Sequence, residues 1–295
     1  MRVDASSLTN LVKSLSDLNT RQAQIANELS SGVRLNHLSD DPVATGQATL
    51  TASALRRNDA FVATAASAGN RLQAADTALA SVVSQLTGAL STAVGAYDEG
   101  AGATVKAVAV QQLKAVRESL LSLANSSYNG SYVFSGDSAT QPFEQATDGT
   151  VTYTGSQGSS GVALLSGGSV LTAQDGSSIF LAGGTSVFGS LNQLISDLSQ
   201  PSGSTGSASV LVGSLRDAFN NVLSSRASLN TAQKRLSTES DYVAAQKTDL
   251  TVQQGTLLSS DTAQLATELS TLTSQRTALL NTIGLLQKGS LFDYL

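Results

Sequence analysis

Leucine and isoleucine fall at alternating intervals of three and four along the start of the chain: Leu8, Leu11, Leu15, Leu18, Ile25 and Leu29, with Gln22 as the polar interruption. A repeat of about 3.5 residues is the seam of a coiled-coil helix, which the pattern places at residues 4–31. One such helix cannot hide its stripe alone, so it needs a partner. Gly32 can take the left-handed conformation that closes a helix, and a polar loop follows over 33–41. Asp41-Pro42 then opens the next helix, with Asp as a cap and Pro at the first helical position. That helix is predicted from Pro42 to about Tyr97. Leu72, Leu79 and Leu86 are seven apart, with Phe61, Ala68, Ala75 and Val82 on an adjacent row. A third helix is expected at 103–128, with Val105, Val108, Leu113, Val116, Leu120 and Leu123 as its apolar face, and Asn129-Gly130 as its stop and turn.

After Gly130 the period changes. Tyr132-Val133-Phe134 is β-prone, and Phe143 to Tyr153 predicts a hairpin about an Asp148-Gly149 turn. Val162-Ala163-Leu164-Leu165, Val170-Leu171 and Ile179-Phe180-Leu181 are further short strand candidates, separated by Gly167-Gly168 and Asp175-Gly176. A short helix is expected over Val187–Leu198, before a flexible connection from Pro201 to Gly206.

The remainder is one long helical pattern over 208–288. Leu215, Val222, Leu229, Leu236, Val243, Leu250 and Leu257 are seven apart. The seam then steps by one residue and resumes as Leu258, Leu265, Leu272, Leu279 and Leu286, with Leu269 and Ile283 between. Gly255, just before the step, is read as a joint between two segments. The expected fold is mainly α. A long antiparallel bundle or coiled coil is formed by the two ends of the chain, with a small β-rich domain inserted in the middle. Residues 1–32 would pair with 258–295, 42–130 with 206–257 would form a helical bundle, and 131–205 would be the outer insert.

Composition narrows the function. Charged residues are 13% of the chain, about half the usual share, and the formal net charge is −5, which argues against a nucleic-acid-binding surface. With no cysteine there can be no disulfide or thiolate metal site. The start, Arg2-Val3-Asp4-Ala5-Ser6-Ser7, has no apolar core of a cleavable signal peptide. No uninterrupted apolar run approaches the length of a membrane span. The lone imidazole, His37, sits beside Asp40 and Asp41. Two carboxylates and one His without a third partner are a weak metal or acid–base set, so Asp40 and Asp41 are read as loop and capping residues. No phosphate-cradling Gly motif precedes a helix. The chain is expected to have no catalytic, cofactor or metal site. Arg34 can pair with a carboxylate of its own loop or of a neighbouring subunit. Tyr132 and Phe134 are most simply the core of the insert, with a glycan-binding surface as the sharper alternative.

The run Leu29-Ser30-Ser31-Gly32-x-Arg34-Leu35-Asn36 with Asp40-Asp41-Pro42 behind it resembles the N-terminal signature of the bacterial flagellin superfamily. Two further segments, Leu123 to Gly136 and Ser186 to Ile195, resemble the hook-associated junction proteins of that superfamily. The resemblance implies a structural subunit of the bacterial flagellum that joins hook to filament and contributes to motility. It implies export without cleavage to an extracellular position. It also implies partners: copies of itself in a ring, a neighbouring hook-associated protein, flagellin, and an export chaperone on the C-terminal helix. Nucleic acid and membrane insertion are not expected. Leu8, Leu11, Leu15, Leu18, Ile25, Leu29, Leu258, Leu265, Leu269, Leu272, Leu279, Ile283 and Leu286 would be the assembly interface, and Arg34, Asn36, Asp40 and Asp41 the loop or subunit contacts. The alternatives are a short flagellin that builds the filament itself, or an exported adhesin on a coiled-coil stalk, which should carry an anchor or cleavable signal.

Overall fold

The structure, a computed structural model, describes residues 5–35, 41–158, 160–181, 186–200 and 205–291. Helices α1 (Ala5–Ser31), α2 (Pro42–Ala96) and α3 (Ala103–Ala124) come first. Six short strands follow: β1 (Ser127–Tyr128), β2 (Ser131–Tyr132), β3 (Phe143–Gln145), β4 (Val151–Tyr153), β5 (Gly161–Ala163) and β6 (Ser169–Leu171). Helices α4 (Gly176–Phe180), α5 (Val187–Leu198), α6 (Thr205–Leu258) and α7 (Thr262–Leu291) complete the chain. The contacts divide it into two compact units, 1–57 with 246–295 and 58–245. Both α2 and α6 contribute to each unit, and the strand-bearing stretch lies wholly within the second.

In the second unit the seven-residue rows meet as the periodicity requires. Leu72, Leu79, Val82 and Leu86 of α2 and Leu215, Val222, Leu229, Leu236 and Val243 of α6 are all buried. The helices run antiparallel, with Arg226 Nε donating to Asp76 Oδ1 at 2.7 Å. Part of α2 is long and apolar enough to cross a membrane by length and composition; its Leu72, Leu79 and Leu86 are covered by protein, whereas Leu50 is 72% exposed.

Helix α3 departs from its expected face and end. Ala109, Val110, Leu113, Leu120 and Ala124 are buried, whereas Val105 and Val108 are about half exposed. The helix stops at Ala124, not near residue 128, because the Asn125 side chain pairs with a strand. Its Nδ2 donates to the Phe143 carbonyl at 2.9 Å and its Oδ1 accepts from the Phe143 amide at 2.9 Å. Ser127 and Tyr128 thereby become the first arm of a hairpin with β2. Its turn residues Asn129 and Gly130 have φ of +49° and +78°, the left-handed pair that a two-residue hairpin turn demands.

The strands form three separate antiparallel hairpins, β1–β2, β3–β4 and β5–β6. The second turns at Asp148-Gly149 as predicted. Val133 and Phe134 lie beyond the end of β2 and are buried. Ile179-Phe180-Leu181 is not a strand: Asp175 Oδ1 accepts from the Ser177 amide at 2.8 Å and caps α4. This helix delivers the Phe180 ring to Phe134, Phe143 and Phe188, with centroids 5.5, 5.3 and 6.0 Å away. These rings share one core with the leucines of α2, α3 and α6.

Candidate assembly site

In the first unit α1 and α7 lie side by side. Arg21 faces Glu268, Gln22 faces Thr273, and Gly32 faces Ser260, so the two run antiparallel. The expected seam points inward only in part. Ile25 is fully buried and Leu265 nearly so, while Leu29 is 38% exposed. Leu11, Leu15, Leu18, Leu258, Leu269, Leu272, Leu279 and Ile283 are each half-buried. Leu8 and Leu286 belong to α1 and α7, but their side chains lie outside the described part. Two helices packed along one line cover one side of each stripe, and burial falls away from the Ile25–Leu265 centre. The outer faces are nearly uncharged and rich in hydroxyls. Thr267, Thr271, Thr273, Ser274, Thr277 and Thr282 each donate to the carbonyl four residues before.

A polar clamp crosses the pair. The Arg21 guanidinium donates from Nε to Glu268 Oε1 at 2.8 Å and from Nη2 to Oε2 at 3.1 Å. Glu28 Oε1 lies 4.0 Å from Arg21 Nη1 on the other side. The hydrogen bond to Glu268 raises the Arg21 pKa further, against a smaller opposing effect of burial. Partly exposed as it is, the clamp contributes at most about 1 kcal/mol and mainly fixes the register.

Where α1 ends, three segments meet. Gly32, at φ +69°, closes α1 by donating to the Glu28 carbonyl at 2.8 Å. The chain then forms one antiparallel bridge, Val33 with Ser259. Here the Arg34 amide donates to the Leu258 carbonyl at 2.7 Å and the Ser260 amide to the Gly32 carbonyl at 3.1 Å. The Arg34 guanidinium reaches the Leu257 carbonyl at 3.3 Å and Asp41 Oδ2 at 3.3 Å. Of the two partners the sequence left open for Arg34, the structure contains the carboxylate of its own loop. Asp41 caps α2 by accepting from the Ala44 amide at 3.0 Å, and that bond, more than Arg34, holds its carboxyl below the ordinary range. Asn36, His37 and Asp40 lie outside the described residues.

The joint between α6 and α7 is not at Gly255. The helix passes through that residue and ends at Leu258, and α7 begins at Thr262. Asp261 caps α7, accepting from the Ala263 and Gln264 amides at 3.0 Å each. The sequence contained this signal: Asp261-Thr262-Ala263-Gln264 has the capping-box spacing. It also contained the clamp, since Arg21 and Glu28 flank Ile25 on one helical face. A cleft of about 400 Å³ opens at this meeting point, lined by Arg21, Glu28, Arg34, Asp261 and Glu268 among others.

Known proteins resemble this chain in sequence and in fold. Residues 4–139 match the family model of the bacterial flagellin N-terminal helical region. Residues 4–139 are thus similar to that region of the flagellins. Flagellar hook-associated protein 3 of Salmonella typhimurium is 30% identical over 146 residues, which cover 46% of this chain and 45% of that protein. The chain thus spans about half the length of the curated relative it matches. Two solved structures from Legionella pneumophila have the same fold. Flagellar hook associated protein-3 matches at a TM-score of 0.64 with 14% identity, covering 71% of this chain and 98% of that one. The flagellar junction protein FlgL matches at 0.60 with 15% identity, covering 72% and 100%. FlgL of Bacillus cereus matches at 0.56 with 18% identity, covering 71% and 100%. The flagellin-type region thus takes in α1, the end of α1 with its Gly32 closure, all of α2 and α3, and the first hairpin.

Proposed function

We propose that this chain is a structural, non-catalytic subunit of the bacterial flagellum that joins the hook to the filament. The observation that carries this reading is the α1–α7 pair. Its leucine stripe is half-exposed along both helices, in a chain whose residues 4–139 match the flagellin N-terminal helical region and which is 30% identical over 146 residues to a hook-associated protein. Burying the remainder against neighbours removes apolar surface from water at about 25 cal/mol per Å². The hydroxyls on the outer faces already have acceptors within their own helix, so covering them leaves few groups unsatisfied. Leu11, Leu15, Leu18, Leu269, Leu272, Leu279 and Ile283 are therefore assigned to contacts between subunits, which close into a ring. A neighbouring hook-associated protein lies on one side and flagellin on the other. A cytosolic chaperone covers α7 until export, and the exported protein keeps its N-terminus.

Deletion of the gene tests the reading. Hooks should remain without attached filaments, with filament protein accumulating in the medium. Normal filaments on the deletion strain would overturn it. Copy number separates this reading from that of a filament subunit, because one ring needs few copies and a filament needs thousands.

A further inference from the structure

The C-terminal end of α6 has no terminator of its own. Ser259-Ser260-Asp261 contains neither Gly nor Pro, and none of the three has a left-handed backbone. A helix that ends by itself commonly carries such a residue, as α1 does at Gly32. Gly255 stays helical, and its carbonyl accepts from the Ser259 amide at 2.8 Å. In an uninterrupted helix the carbonyls of Leu257 and Leu258 would accept from the amides of residues 261 and 262. Arg34 stands in that place: its guanidinium donates to the Leu257 carbonyl at 3.3 Å and its amide to the Leu258 carbonyl at 2.7 Å. It also brings a cation to the end of α6, where the helix dipole favours one. The Ser260 amide turns to the Gly32 carbonyl, and the Ser260 hydroxyl donates to the Glu28 carbonyl at 3.3 Å. The helix is interrupted from outside, by a segment more than two hundred residues away in the chain.

We propose that this joint is a two-state element: clasped by Arg34, as here, or fused, with α6 and α7 continuous once Arg34 withdraws. The one-residue step of the seam from Leu257 to Leu258 gives the two states different outcomes. In a fused helix, consecutive residues point about 100° apart, so the α7 stripe would be turned by that angle from the α6 stripe. In the clasped state the Ser259–Asp261 break absorbs the step. The two states therefore offer the α7 leucines in different directions to a neighbour. The inference rests on the geometry of the first unit alone and stands or falls independently of the flagellar reading.

Because the chain has no cysteine, Thr251→Cys with Gln275→Cys places two unique spin labels on exposed positions flanking the joint. Pulsed dipolar EPR on the full-length protein reads the distance between them. A straight helix separates the two backbones by about 36 Å. Arg34→Pro combined with Asp261→Ala removes both donors of the clasp, the guanidinium and the backbone amide, together with the α7 cap. At unchanged helical CD intensity, this variant should move at least half of the population into a narrow peak near that distance. It should also slow hydrogen exchange at residues 261 and 262 at least tenfold. Asp261→Ala alone should move a smaller fraction the same way. Adding Thr262→Pro should restore the parent distribution, because proline cannot donate to the Leu258 carbonyl and suits a first helical position. If the distribution stays in place or only broadens in the Arg34→Pro, Asp261→Ala protein, or if the narrow peak survives Thr262→Pro, the two-state joint is wrong.

Discussion

Ile25→Ala is the sharpest probe of the terminal pair. Ile25 is fully buried at the centre of the α1–α7 contact, where Leu265 is its nearly buried counterpart. Truncating a buried Ile to Ala costs about 2–5 kcal/mol, depending on how far the surroundings collapse. A two-helix contact with exposed outer faces can close partly around the gap, so the low part of that range applies, about 2–3 kcal/mol. The other seam residues are half-buried and cannot compensate. The second unit keeps its own leucine and phenylalanine core and is left untouched. Hydrogen exchange in dilute monomer should therefore speed up by about thirtyfold to about a hundredfold across 9–31 and 262–285, at about 1.4 kcal/mol per tenfold. Protection around Leu72–Leu86 should not change. Unchanged exchange in the terminal helices would mean that Ile25 is not their centre. An equal loss in both units would mean that the chain opens as one, and that the terminal pair does not open apart from the second unit.

Four further outcomes follow from the same structure. Leu272→Asp places a charge in the half-buried seam, where desolvation is costly; the secreted protein should fail to join hook tips in a reconstitution assay while the near-UV CD of its aromatic core is retained. Gly136→Ala should abolish soluble expression, since φ is +63° and an added Cβ would collide with the Ser156 carbonyl oxygen and sit 2.7 Å from that of Gly158. Gly130→Ala, at φ +78° in open space, should cost only about 1–2 kcal/mol in a denaturant melt. In alkali, burial pushes the Tyr153 phenol up to about 12. Burial and then the hydrogen bond to Asp197 push Tyr97 up as well. Both groups hold their protons more tightly when folded, so their contribution is complete below an unfolded value of about 10 and is lost as pH rises through the folded values. Stability should fall between about pH 10 and 12 in pH-jump denaturant titrations, and Tyr153→Phe should flatten that fall.

Much of the secondary structure and both helical seams are legible in the chain because their physics is local. A row of leucines every seven residues defines a buried line whatever covers it, and Leu72, Leu79 and Leu86 needed no knowledge of Leu215 or Val222 to be recognised. Asn129-Gly130, Asp148-Gly149 and Gly167-Gly168 are readable because left-handed turn positions select their residues directly. The flagellin-type signature around Gly32 likewise lies in consecutive residues.

What tertiary structure alone decided are the places where one segment supplies another's hydrogen bonds. Asn125 ends α3 by pairing with the backbone of Phe143, and no local pattern names that partner. Phe180 lies in a helix although its neighbours favour a strand, because the Asp175 cap and the aromatic cluster outweigh a weak β preference. Val105 and Val108 continue the α3 pattern but lie largely uncovered, since periodicity identifies a face without saying how far its cover extends. The end of α6 is the clearest case, although the start of α7 is marked locally by Asp261. Gly255 is the residue a sequence reader would choose, yet the helix ends where Arg34 takes the carbonyls of Leu257 and Leu258. A helix terminus is fixed by whichever donor reaches the last carbonyls, and here that donor comes from the other end of the chain.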